Sequence, residues 1–546
     1  MSTSESLSAE IATQTELFNK LRLENAEATV LEEARKKLGE LKKSMALMRN
    51  AAGGSSGTQG TRDYGPGEMF CREHVENIVK ECFVLYGGCA LDTPVFERKD
   101  VLAGKYGEDA KLIFDLEDQG GEQLALRYDH TVPLARYLAM GGATSTQSKL
   151  WQVGKVYRRD NPVMSKGRMR EFSQADFDIL GQWDSMIPDA ELISLLCTIL
   201  TRLDVGGFTV KLNNRKILDG IFEVCGVPPE KIRPISSAVD KLDKLPWADV
   251  KKEMTEEKGL DPASADKIGE YVKHKGGRAL LDQLFADATL TANASAKQGL
   301  DEMATLLTYL EVYKVMDKVS FDLSLARGLD YYTGIIYEAI VEASAPPGFK
   351  TKKPAAGGEE EEEIDESQVG VGSIAAGGRY DNLVGMFTSA AAGETKKGMP
   401  CVGVSIGLDR VFAIVWPKWV ERGMRSKEVM AYVMAAGDGL LKERMGLVQE
   451  LREAGIRTDF LAKNKPKLPA QFAAGERDEV PFAIILGGDE LKAGLVTVKQ
   501  QLWELVDGQK RKVESADKGT QVKRSELVQW LKDTETFKGW SNGKLI

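Results

Sequence analysis

One stretch of the chain, residues 325–338 with the sequence LARGLDYYTGIIYE, sets strongly polar residues between strand-forming segments. Apolar runs at Val319–Leu323 and Ile335–Ile340 predict two strands that hold the polar segment in a sheet. The polar members are Arg327, Asp330, Tyr331 and Tyr332. Because burying polar groups costs free energy unless they are paired, we interpret them as a recognition surface for a small hydrogen-bonding molecule. A structural polar network is the alternative interpretation.

The composition is typical of a globular protein with more than one domain. With 546 residues, of which 42% are hydrophobic and 28% charged, the chain exceeds a single hydrophobic core. No apolar run approaches the roughly 20 residues that span a bilayer, so no membrane partner is expected. The formal net charge of −9 does not indicate general nucleic-acid affinity, although local basic patches can carry such contacts. Candidate patches, each also typical of a solvated face, are Arg35–Lys37 with Lys42 and Lys43, the group Lys463, Lys465 and Lys467, and Lys510–Lys512.

Cysteine and histidine usage bear on the compartment and on metal binding. The six cysteines are scattered without CxxC spacing, which favours free thiols over disulfides or zinc ligands. With three histidines in the whole chain, a histidine-based metal site is not expected. The first ten residues, MSTSESLSAE, contain acids and no arginine, which argues against a signal peptide or a mitochondrial presequence. We therefore expect a cytoplasmic protein without a resident metal.

The N-terminal segment differs from the rest of the chain in its pattern. Residues 1–50 predict a helical hairpin, because apolar residues repeat at alternating steps of three and four, as in Leu31, Ala34, Leu38, Leu41 and Met45. Residues 51–60, rich in glycine and serine, predict a flexible linker. The hairpin is either a tethered appendage or an oligomerising coiled coil.

A mixed α/β region follows in three parts. Residues 61–213 and 317–420 are its first and second parts, and the helix-rich, highly charged residues 214–316 between them predict an all-helical insertion. Within the second part, residues 343–369 are rich in charge, proline and glycine and bury too little apolar surface to order themselves. They predict a disordered surface loop.

The last region, residues 427–546, alternates strands and helices. A strand at Val429–Met434, a helix at Gly439–Ala454 ended by Gly455, and a second strand at Ile456–Phe460 come first. A helix after Pro469 and a strand at Phe482–Leu486 complete a βαβαβ order. This order predicts a parallel sheet with crossover helices, in a small separate domain.

Polar residues in four further blocks suggest the chemistry. Asp129, in LRYDHTVP, offers an acceptor that can pair with a substrate ammonium; an Asx turn at a strand end is the alternative. Residues 156–181 predict two strands around a basic loop that contains Gly167, which would aim arginines into a shared cleft; a surface basic hairpin for RNA backbone is the alternative. Arginine suits phosphate because its planar fork binds bidentately. Gly377 and Gly378 predict a close approach of backbone to a ligand. Arg410, expected on the first turn of a helix, suggests that an anion lies nearby.

These blocks, together with LDTPVFE at residues 91–97, occur in the order found in histidyl-tRNA synthetases, and the segment ARGLDYYTG closely resembles that family's histidine-specific signature. The resemblance runs nearly end to end. It implies an α+β and α/β multidomain protein with the class II synthetase antiparallel sheet, a helical insertion and a C-terminal α/β anticodon-binding domain. It also implies a homodimer, with residues 91–97 at the interface, and an N-terminal helical hairpin as an appendage.

The resemblance also implies roles for individual residues. Arg158 and Arg327 match the catalytic arginines. The positions that bind histidine in the family correspond to Asp129, His130, Thr131, Arg158, Gln174, Asp178, Arg327, Tyr331 and Tyr332, with Glu97 as a further acid near the amino group. The ATP-binding positions correspond to Arg158, Arg168, Glu171 and Arg410. Three residues depart from the family pattern, namely His130 for an aliphatic residue, Ser173 for an aromatic residue or histidine, and Ala175 for cysteine or leucine, and the last two predict a looser or repacked pocket floor.

The implied activity is two-step. ATP and L-histidine form histidyl-adenylate, with Mg²⁺ on the phosphates, and the histidyl group then passes to the 3′ end of tRNA(His). One alternative is a catalytically inactive regulator that senses histidine or uncharged tRNA, although such paralogues tend to lose the motif residues that are present here. A second alternative is an RNA-binding scaffold built on the N-terminal hairpin.

Overall fold

The computed structural model describes the chain from residue 60 onward, with gaps. The described residues are 60–102, 104–117, 120–141, 147–243, 245–326, 331–341, 372–392, 398–423, 427–506, 509–513 and 518–541, with Gln14 and Lys37 as isolated positions. The predicted hairpin, nearly all of the linker and the predicted loop 343–369 lie outside the described residues. So do Arg327 and Asp330 of the signature segment.

A nine-stranded sheet forms the centre of the larger domain, in the order β1-β4-β5-β11-β10-β9-β6-β8-β7. Its strands are β1 (Cys89–Ala90), β4 (Gln147–Tyr157), β5 (Glu171–Gly181), β6 (Phe208–Asn214), β7 (Lys275–Gly276), β8 (Val319–Asp322), β9 (Ile335–Val341), β10 (Ala375–Arg379) and β11 (Cys401–Gly407). Neighbouring strands are antiparallel except at β1–β4 and β6–β8. The strands predicted on both sides of the signature segment are present as β8 and β9. A separate pair, β2 (Phe96–Arg98) and β3 (Leu124–Leu126), lies beside the sheet.

Helices pack on the sheet and share one hydrophobic core with it. They are α1 (Pro66–Leu85), α2 (Lys99–Leu102), α3 (Thr131–Ala139), α4 (Ile187–Arg202), α5 (Arg215–Val224), α6 (Ile232–Val239), α7 (Trp247–Lys252), α8 (Pro262–Val272), α9 (Arg278–Ala286), α10 (Ala288–Ala292), α11 (Ala294–Val312), α12 (Leu383–Ala392) and α13 (Leu408–Glu421). Phe177 of β5 packs on Phe83 of α1 with ring centroids 5.2 Å apart, which fixes α1 against the sheet. Of the helices that the structure describes, none is long and apolar enough to cross a membrane.

Residues 214–316 are helix-rich, as predicted, but they are not purely helical. The two-residue strand β7 pairs with β8 and forms the edge of the large sheet. Buried residues of this stretch, such as Ile217 and Leu300, belong to the same core as the sheet. The charged surface pattern predicted the helices, but it carried no signal for a core shared with the sheet.

The C-terminal domain has its own five-stranded sheet, in the order β13-β12-β14-β15-β18. Its strands are β12 (Ala431–Ala435), β13 (Thr458–Asp459), β14 (Phe482–Leu486), β15 (Leu495–Gln500) and β18 (Thr520–Lys523), with β16 (Trp503–Val506) and β17 (Gln509–Lys512) as a separate hairpin. Its helices are α14 (Leu441–Glu453), α15 (Leu468–Arg477), α16 (Gly488–Lys492), α17 (Leu527–Asp533) and α18 (Glu535–Ser541).

The parallel arrangement predicted for this domain is confirmed for β13, β12 and β14. Gly455 has a φ of +79°, which suits its predicted position at the end of α14. Strands β15 and β18 are antiparallel, so the complete sheet is mixed. The predicted βαβαβ order covered only the first three strands. Antiparallel strands need no crossover helix between them, so no helix pattern in the sequence marked β15 and β18.

Gly377 and Gly378 both approach neighbouring protein atoms closely, and their predicted approach to a ligand stays a prediction. A Cβ atom on Gly377 would lie 2.1 Å from the carbonyl oxygen of Gly403 on the neighbouring strand. A Cβ atom on Gly378 would lie 2.6 Å from the oxygen of Ile335 and 2.8 Å from the Tyr332 ring. Both glycines are therefore required by packing inside the protein.

Gly377→Ala should lower the free energy of unfolding of the sheet domain by about 2–3 kcal/mol, because the added methyl group meets backbone that cannot move aside. Calorimetry of both proteins measures the change. Gly446→Ala is the matched control, since Gly446 lies on α14 with no atom within 4 Å of the added methyl. A helix gains roughly 0.5–1 kcal/mol from this replacement. Equal effects of the two substitutions would contradict the packing argument.

Candidate active site

Strand β5 carries the polar floor of the site. Alternate residues of a strand point to the same face, so Gln174, Asp176 and Asp178 lie side by side. All three are buried. The Oε1 atom of Gln174 has no hydrogen-bond partner within the described residues. A buried acceptor without a partner costs free energy, so this floor is arranged for a ligand that donates hydrogen bonds.

Asp129 lies two residues before the start of α3 and close to this floor. Its Oδ1 accepts hydrogen bonds from the Tyr106 hydroxyl at 2.9 Å and from the backbone N–H of Val132 at 3.1 Å. Its Oδ2 accepts a longer hydrogen bond from the Tyr331 hydroxyl at 3.4 Å. The contact to Val132, three residues further on, is of the kind made at helix N-termini and differs from the i+2 bond of the Asx turn that was the alternative interpretation. Asp129 therefore binds the first turn of α3 and also presents a carboxylate to Tyr331 of the signature segment.

Burial controls the ionisation of the floor carboxylates. Desolvation raises the pKa of Asp178 to about 7, although a 2.5 Å hydrogen bond from the Tyr380 hydroxyl lowers it. Desolvation also raises the pKa of Asp176 well above its usual range, and the neighbouring Asp178 adds to this shift. The Asp176 carboxyl contacts the Ser405 hydroxyl at 2.7 Å. A cationic or hydrogen-bond-donating ligand would relieve this accumulation of buried acids.

Arg158 follows the end of β4 and supplies positive charge opposite these acids. Its Nε donates to the carbonyl of Tyr128 at 3.1 Å. Its guanidinium lies 4.3 Å from the centre of the Tyr128 ring and 5.1 Å from that of Phe172. The terminal nitrogens Nη1 and Nη2 have no hydrogen-bond partner in the described part of the chain. Nε thus holds the Arg158 side chain in place, and Nη1 and Nη2 stay available to bind an anion in a bidentate way.

The other residues predicted for ATP are partly exposed. Arg168, in the loop between β4 and β5, forms an ion pair with Asp160 at 2.8 Å. Glu171 pairs with Lys155 at 2.6 Å. Arg410 lies on the first turn of α13, as predicted, and its Nη1 donates to the carbonyl of Ser373.

His130 and Tyr331 are both buried on the Asp129 side of the site. Burial lowers the pKa of His130 to about 3, and the charge of Arg127 adds to this effect, so its ring is neutral at neutral pH. Its Nε2 lies 3.3 Å from the carbonyl oxygen of Gly154 on β4. Burial raises the pKa of Tyr331 well above its usual range, and the Thr131 side chain hydrogen-bonds to it. Tyr331 and Tyr332 have ring centroids 4.9 Å apart.

The departures at Ser173 and Ala175 do not alter the polar floor, contrary to the expectation. They alternate with the floor residues and therefore point to the opposite face of β5. Nη2 of Arg72, on α1, lies 3.4 Å from the Ser173 hydroxyl, and Ala175 is fully buried in the core. The small Ser173 side chain instead lines a cavity of 360 Å³, whose wall also includes Glu171, Phe172 and residues of α1 and α13.

Glu97 lies on β2 and pairs with Arg136 of α3, with Nη2 and Oε1 2.8 Å apart. Its buried carboxylate is therefore neutralised by a neighbour on a helix. The predicted role of Glu97 near the substrate amino group stays a prediction.

Three residues of the site were not predicted. Asp176 lies between two predicted members of the same strand face, so the alternation of β5 would have identified it. Tyr106 and Tyr380 donate to Asp129 and Asp178 from distant parts of the chain, across 23 and 202 residues respectively. Their local sequences carry no signal of these contacts.

Comparisons with known proteins agree with this architecture. A family model described as Histidyl-tRNA synthetase matches residues 60–348, and one described as Anticodon binding domain matches residues 430–534. The chain is 48% identical over 499 residues to the histidine–tRNA ligase of Danio rerio, covering 90% of this chain and 93% of that protein. It is 49% identical over 468 residues to the mitochondrial histidine–tRNA ligase of Saccharomyces cerevisiae, covering 84% of both. The solved histidyl-tRNA synthetase from Nostoc sp. PCC 7120 has a TM-score of 0.66 and 28% identity, covering 87% of this chain and 98% of that chain.

A largely antiparallel sheet with an arginine at the end of a long strand pair, together with a separate C-terminal α/β domain, defines a class II aminoacyl-tRNA synthetase fold. Within that class, the chain belongs to the histidyl-tRNA synthetase family. The predicted family and fold class are thereby confirmed. A relative named for the cytoplasm, from Takifugu rubripes, is 51% identical over 445 residues, 81% of this chain and 83% of that protein. Since a mitochondrial relative is equally similar, the cytoplasmic location stays a prediction.

Asp178→Asn should stabilise the protein in a pH-dependent way. The unfolded carboxyl ionises near pH 4, whereas the folded one does so at about pH 7. Between these values the folded state keeps a proton that the unfolded state has lost, so the stabilising contribution is lost as the pH rises through 7. The variant should gain about 1–3 kcal/mol in free energy of unfolding at pH 8, and less towards pH 5.

Denaturant titrations at the two pH values measure this gain. The exposed Asp184, three residues beyond the end of β5, offers Asp184→Asn as a control that should change neither value. An Asp178→Asn gain that does not vary with pH would contradict the assigned desolvation.

Proposed function

We propose that this chain activates L-histidine with ATP and transfers it to tRNA(His), using the residues around the β5 floor. The observation that carries the proposal is that Asp129 lies close enough to the buried Asp178 and to Arg158 for their charges to act on one another, in a member of this family. The acids and the amide suit the ammonium and imidazole of histidine, and the arginine suits its carboxylate and the α-phosphate.

Histidine recognition rests on the buried polar groups of the cleft. Asp129 accepts the ammonium in a charge-assisted hydrogen bond, with the Thr131 hydroxyl beside it. The Tyr331 hydroxyl, which contacts Asp129 from the opposite side, and the carboxyl of Asp178 are the groups that face the imidazole. A site built to hydrogen-bond both ring nitrogens rejects analogues that lack them by roughly 10⁴–10⁵, because its own buried groups would stay unpaired.

The activation step needs positive charge at the α-phosphate. The histidine carboxylate attacks phosphorus in line, and negative charge grows on the nonbridging oxygens as pyrophosphate leaves. Arg158 stabilises that charge from the end of β4, and Arg327 is assigned the same task from the signature segment. Arg168, Glu171 and Arg410 are assigned to the rest of the nucleotide. No protein base is required, since the attacking carboxylate is already ionised at neutral pH.

Mg²⁺ enters as part of the nucleotide substrate. This ion usually keeps several water ligands and binds phosphate oxygens rather than an all-protein cage. Among the described residues, no group of three or more histidine, cysteine, aspartate or glutamate side chains could hold a metal ion. No step is assigned to a resident metal.

The transfer step requires the 3′ end of the tRNA to reach the adenylate. A cavity of 280 Å³ opens beside Tyr331 and Tyr332, and its wall includes Lys216 and Arg233, which pair with Glu302 and Asp219. We assign the terminal nucleotides of the tRNA to this cavity, because both cations can exchange an acid for a phosphate. The C-terminal domain, matched by the Anticodon binding domain model, is assigned to the other end of the same tRNA.

The inactive regulator has no specific observation in its favour. The described residues include Arg158, Arg410 and the tyrosine pair, and the C-terminal domain is present. An inactive paralogue would be expected to lose these residues, and this chain retains them.

Histidine-dependent ATP–pyrophosphate exchange tests the activation step. The purified protein should exchange with histidine and not with the other nineteen amino acids. Arg158→Lys should reduce the exchange rate by about 10²–10³, because lysine keeps the charge but loses the bidentate fork. Arg159→Lys changes an exposed neighbour in the same way and should stay near the parental rate. No exchange from the folded parental protein would overturn the proposal and favour the regulator.

A homodimer is the second part of the proposal. Val95 and Phe96 lie in the segment that resembles the class II dimer motif, and they are 40% and 54% exposed. Exposed apolar side chains on a rigid strand are typical of an interface anchor.

Phe96→Ser should weaken dimerisation, because an interface anchor of this kind contributes about 2 kcal/mol, roughly 30-fold in Kd. Sedimentation equilibrium over a range of concentrations measures the dissociation constant. Met445→Ser is the control, since Met445 is 52% exposed on α14 in the other domain. An equally tight dimer from Phe96→Ser would remove Phe96 from the interface, and a monomeric parent would overturn the homodimer.

A further inference from the structure

Helix α13 begins with two charged residues in different surroundings. Arg410, on its first turn, is partly exposed and is assigned to the nucleotide. Asp409, the residue before it, is only 2% exposed. Because a buried carboxylate costs free energy unless its oxygens are paired, the partners of Asp409 indicate what this position does.

Both carboxylate oxygens of Asp409 are bound. Oδ1 accepts hydrogen bonds from the Tyr64 hydroxyl and from Nη1 of Arg72, each at 2.5 Å. Oδ2 accepts a hydrogen bond from the backbone N–H of Ser173 at 2.7 Å. One carboxylate therefore joins α13 to the segment before α1, to α1 itself and to β5.

Aromatic packing holds the partners of this carboxylate. The Arg72 guanidinium lies 4.0 Å from the centre of the Tyr64 ring and 5.6 Å from that of Phe412, on α13. The Tyr64 and Phe412 rings meet edge to face, with centroids 5.7 Å apart. Nη2 of Arg72 also lies 3.4 Å from the Ser173 hydroxyl, so this cluster is on the face of β5 opposite the polar floor. It can hold the Asp409 carboxylate without contacting a ligand at the floor.

The Asp409 carboxylate fixes the part of β5 that adjoins Arg158. The Ser173 N–H that it binds belongs to the peptide group between Phe172 and Ser173. The centre of the Phe172 ring lies 5.1 Å from the Arg158 guanidinium, which is above it. Since the contact with Asp409 sets the position of that peptide group, it also sets the position of the ring beneath the guanidinium.

The backbone of Asp409 supports the loop between β4 and β5. Gly167 has a φ of +68°, and a Cβ atom there would lie 2.4 Å from the Asp409 oxygen and 2.9 Å from the Arg410 nitrogen. The loop therefore meets the start of α13 at the residue just before Arg168. Arg410 in turn donates from Nη1 to the carbonyl of Ser373. Both arginines thus extend from backbone segments that touch at Asp409.

We propose that Asp409 is a positioning residue that keeps Arg158, Arg168 and Arg410 in one arrangement around ATP. Its carboxylate acts on the first arginine through β5, and its backbone acts on the other two. Its partners on the other face of β5 hold the carboxylate in turn. The inference rests on the proposed function, because the three arginines are assigned to ATP there. A ligand binds more tightly when the groups that receive it are already ordered.

Asp409→Asn tests this role, because the NH2 group of asparagine would face a hydrogen-bond donor where the carboxylate offers an acceptor. In the full-length protein, the Kd for ATP should rise by about 10-fold. The Kd for histidine should rise by less than about 3-fold, because Arg158 alone of the three arginines is assigned to both ligands. Isothermal titration with each ligand separately measures the two constants.

Glu253→Gln is the matched control. Glu253 is buried within the helical residues 214–316 and pairs with Lys241 at 2.8 Å and with Lys258 at 2.9 Å. Its replacement also removes a buried and paired acid, and it should leave both constants within about 2-fold of the parental values. A loss of ATP affinity equal to that of Asp409→Asn would attribute the effect to lowered stability and overturn the positioning role.

Replacing a partner of the carboxylate separates positioning from folding. Arg72→Lys keeps the positive charge beside Asp409, whereas Arg72→Met keeps only the bulk. The first should raise the Kd for ATP by less than about 3-fold and the second by about 10-fold. Tyr64→Phe combined with Asp409→Asn should bind ATP no more weakly than Asp409→Asn alone, because both changes act through one carboxylate.

A parental Kd for ATP in a folded Asp409→Asn protein would overturn the proposal, and so would equal rises for ATP and histidine. If circular dichroism shows that this variant does not fold, Tyr64→Phe takes its place. That variant loses one hydrogen bond and should raise the Kd for ATP alone by about 3-fold, and a parental value would again overturn the proposal.

Pyrophosphate exchange by the parental protein is measured alongside these titrations. A parental protein that binds ATP but does not exchange would show failure of the proposed function. The comparison of ATP affinities would still decide the role of Asp409.

Discussion

The Asp178 carboxylate depends on a gap in the strand opposite. Asp178 of β5 is paired with Gly403 of β11, and a Cβ atom on Gly403 would lie 1.8 Å from the Asp178 Oδ1. The oxygen of Gly403 in turn accepts a 2.6 Å hydrogen bond from the Tyr337 hydroxyl and lies where a Cβ on Gly377 would be. The absence of a side chain at Gly403 therefore leaves room beside β11 for the Asp178 carboxyl, which accepts a hydrogen bond from the Tyr380 hydroxyl.

This enclosure gives the site its chemistry and costs stability. Water is excluded from Asp129, Asp176 and Asp178, so each carboxyl resists ionisation. A ligand with an ammonium or N–H group would donate hydrogen bonds to these carboxyl groups and so replace the water that burial removes. The hydroxyls of Tyr106 and Tyr380 hold the carboxylates in place without adding positive charge, which keeps their attraction for a cation intact. Opposite them, Arg158 is fixed along its stem by Tyr128, so the two signs of charge face one another across the cleft.

The sequence predicted the parts of this arrangement that are local. The strands around the signature segment, the β4–β5 hairpin, the helix at Arg410 and the C-terminal parallel strands follow from patterns a few residues long. The orientation of Ser173 also followed from strand alternation, once β5 was accepted as a strand, and the expectation of a looser pocket overlooked it. Tyr106, Tyr380 and Gly403 contribute through contacts between distant segments, and no local pattern records which partner they meet. The same is true of Gly377, whose requirement comes from the backbone of another strand.

Asp178 and Arg444 illustrate two uses of a buried charge. Each lies beside a glycine at which a side chain would collide with a neighbouring segment, Gly403 for the acid and Gly439 for the arginine. The acid receives one strong hydrogen bond and keeps capacity for a ligand, so its charge is available to small molecules. The guanidinium uses all three of its nitrogens on backbone carbonyls, so its charge is consumed within the protein and its effect is geometric. The first arrangement leaves a buried carboxyl able to accept a hydrogen bond from a ligand, whereas the second holds two loops of the C-terminal domain in one conformation.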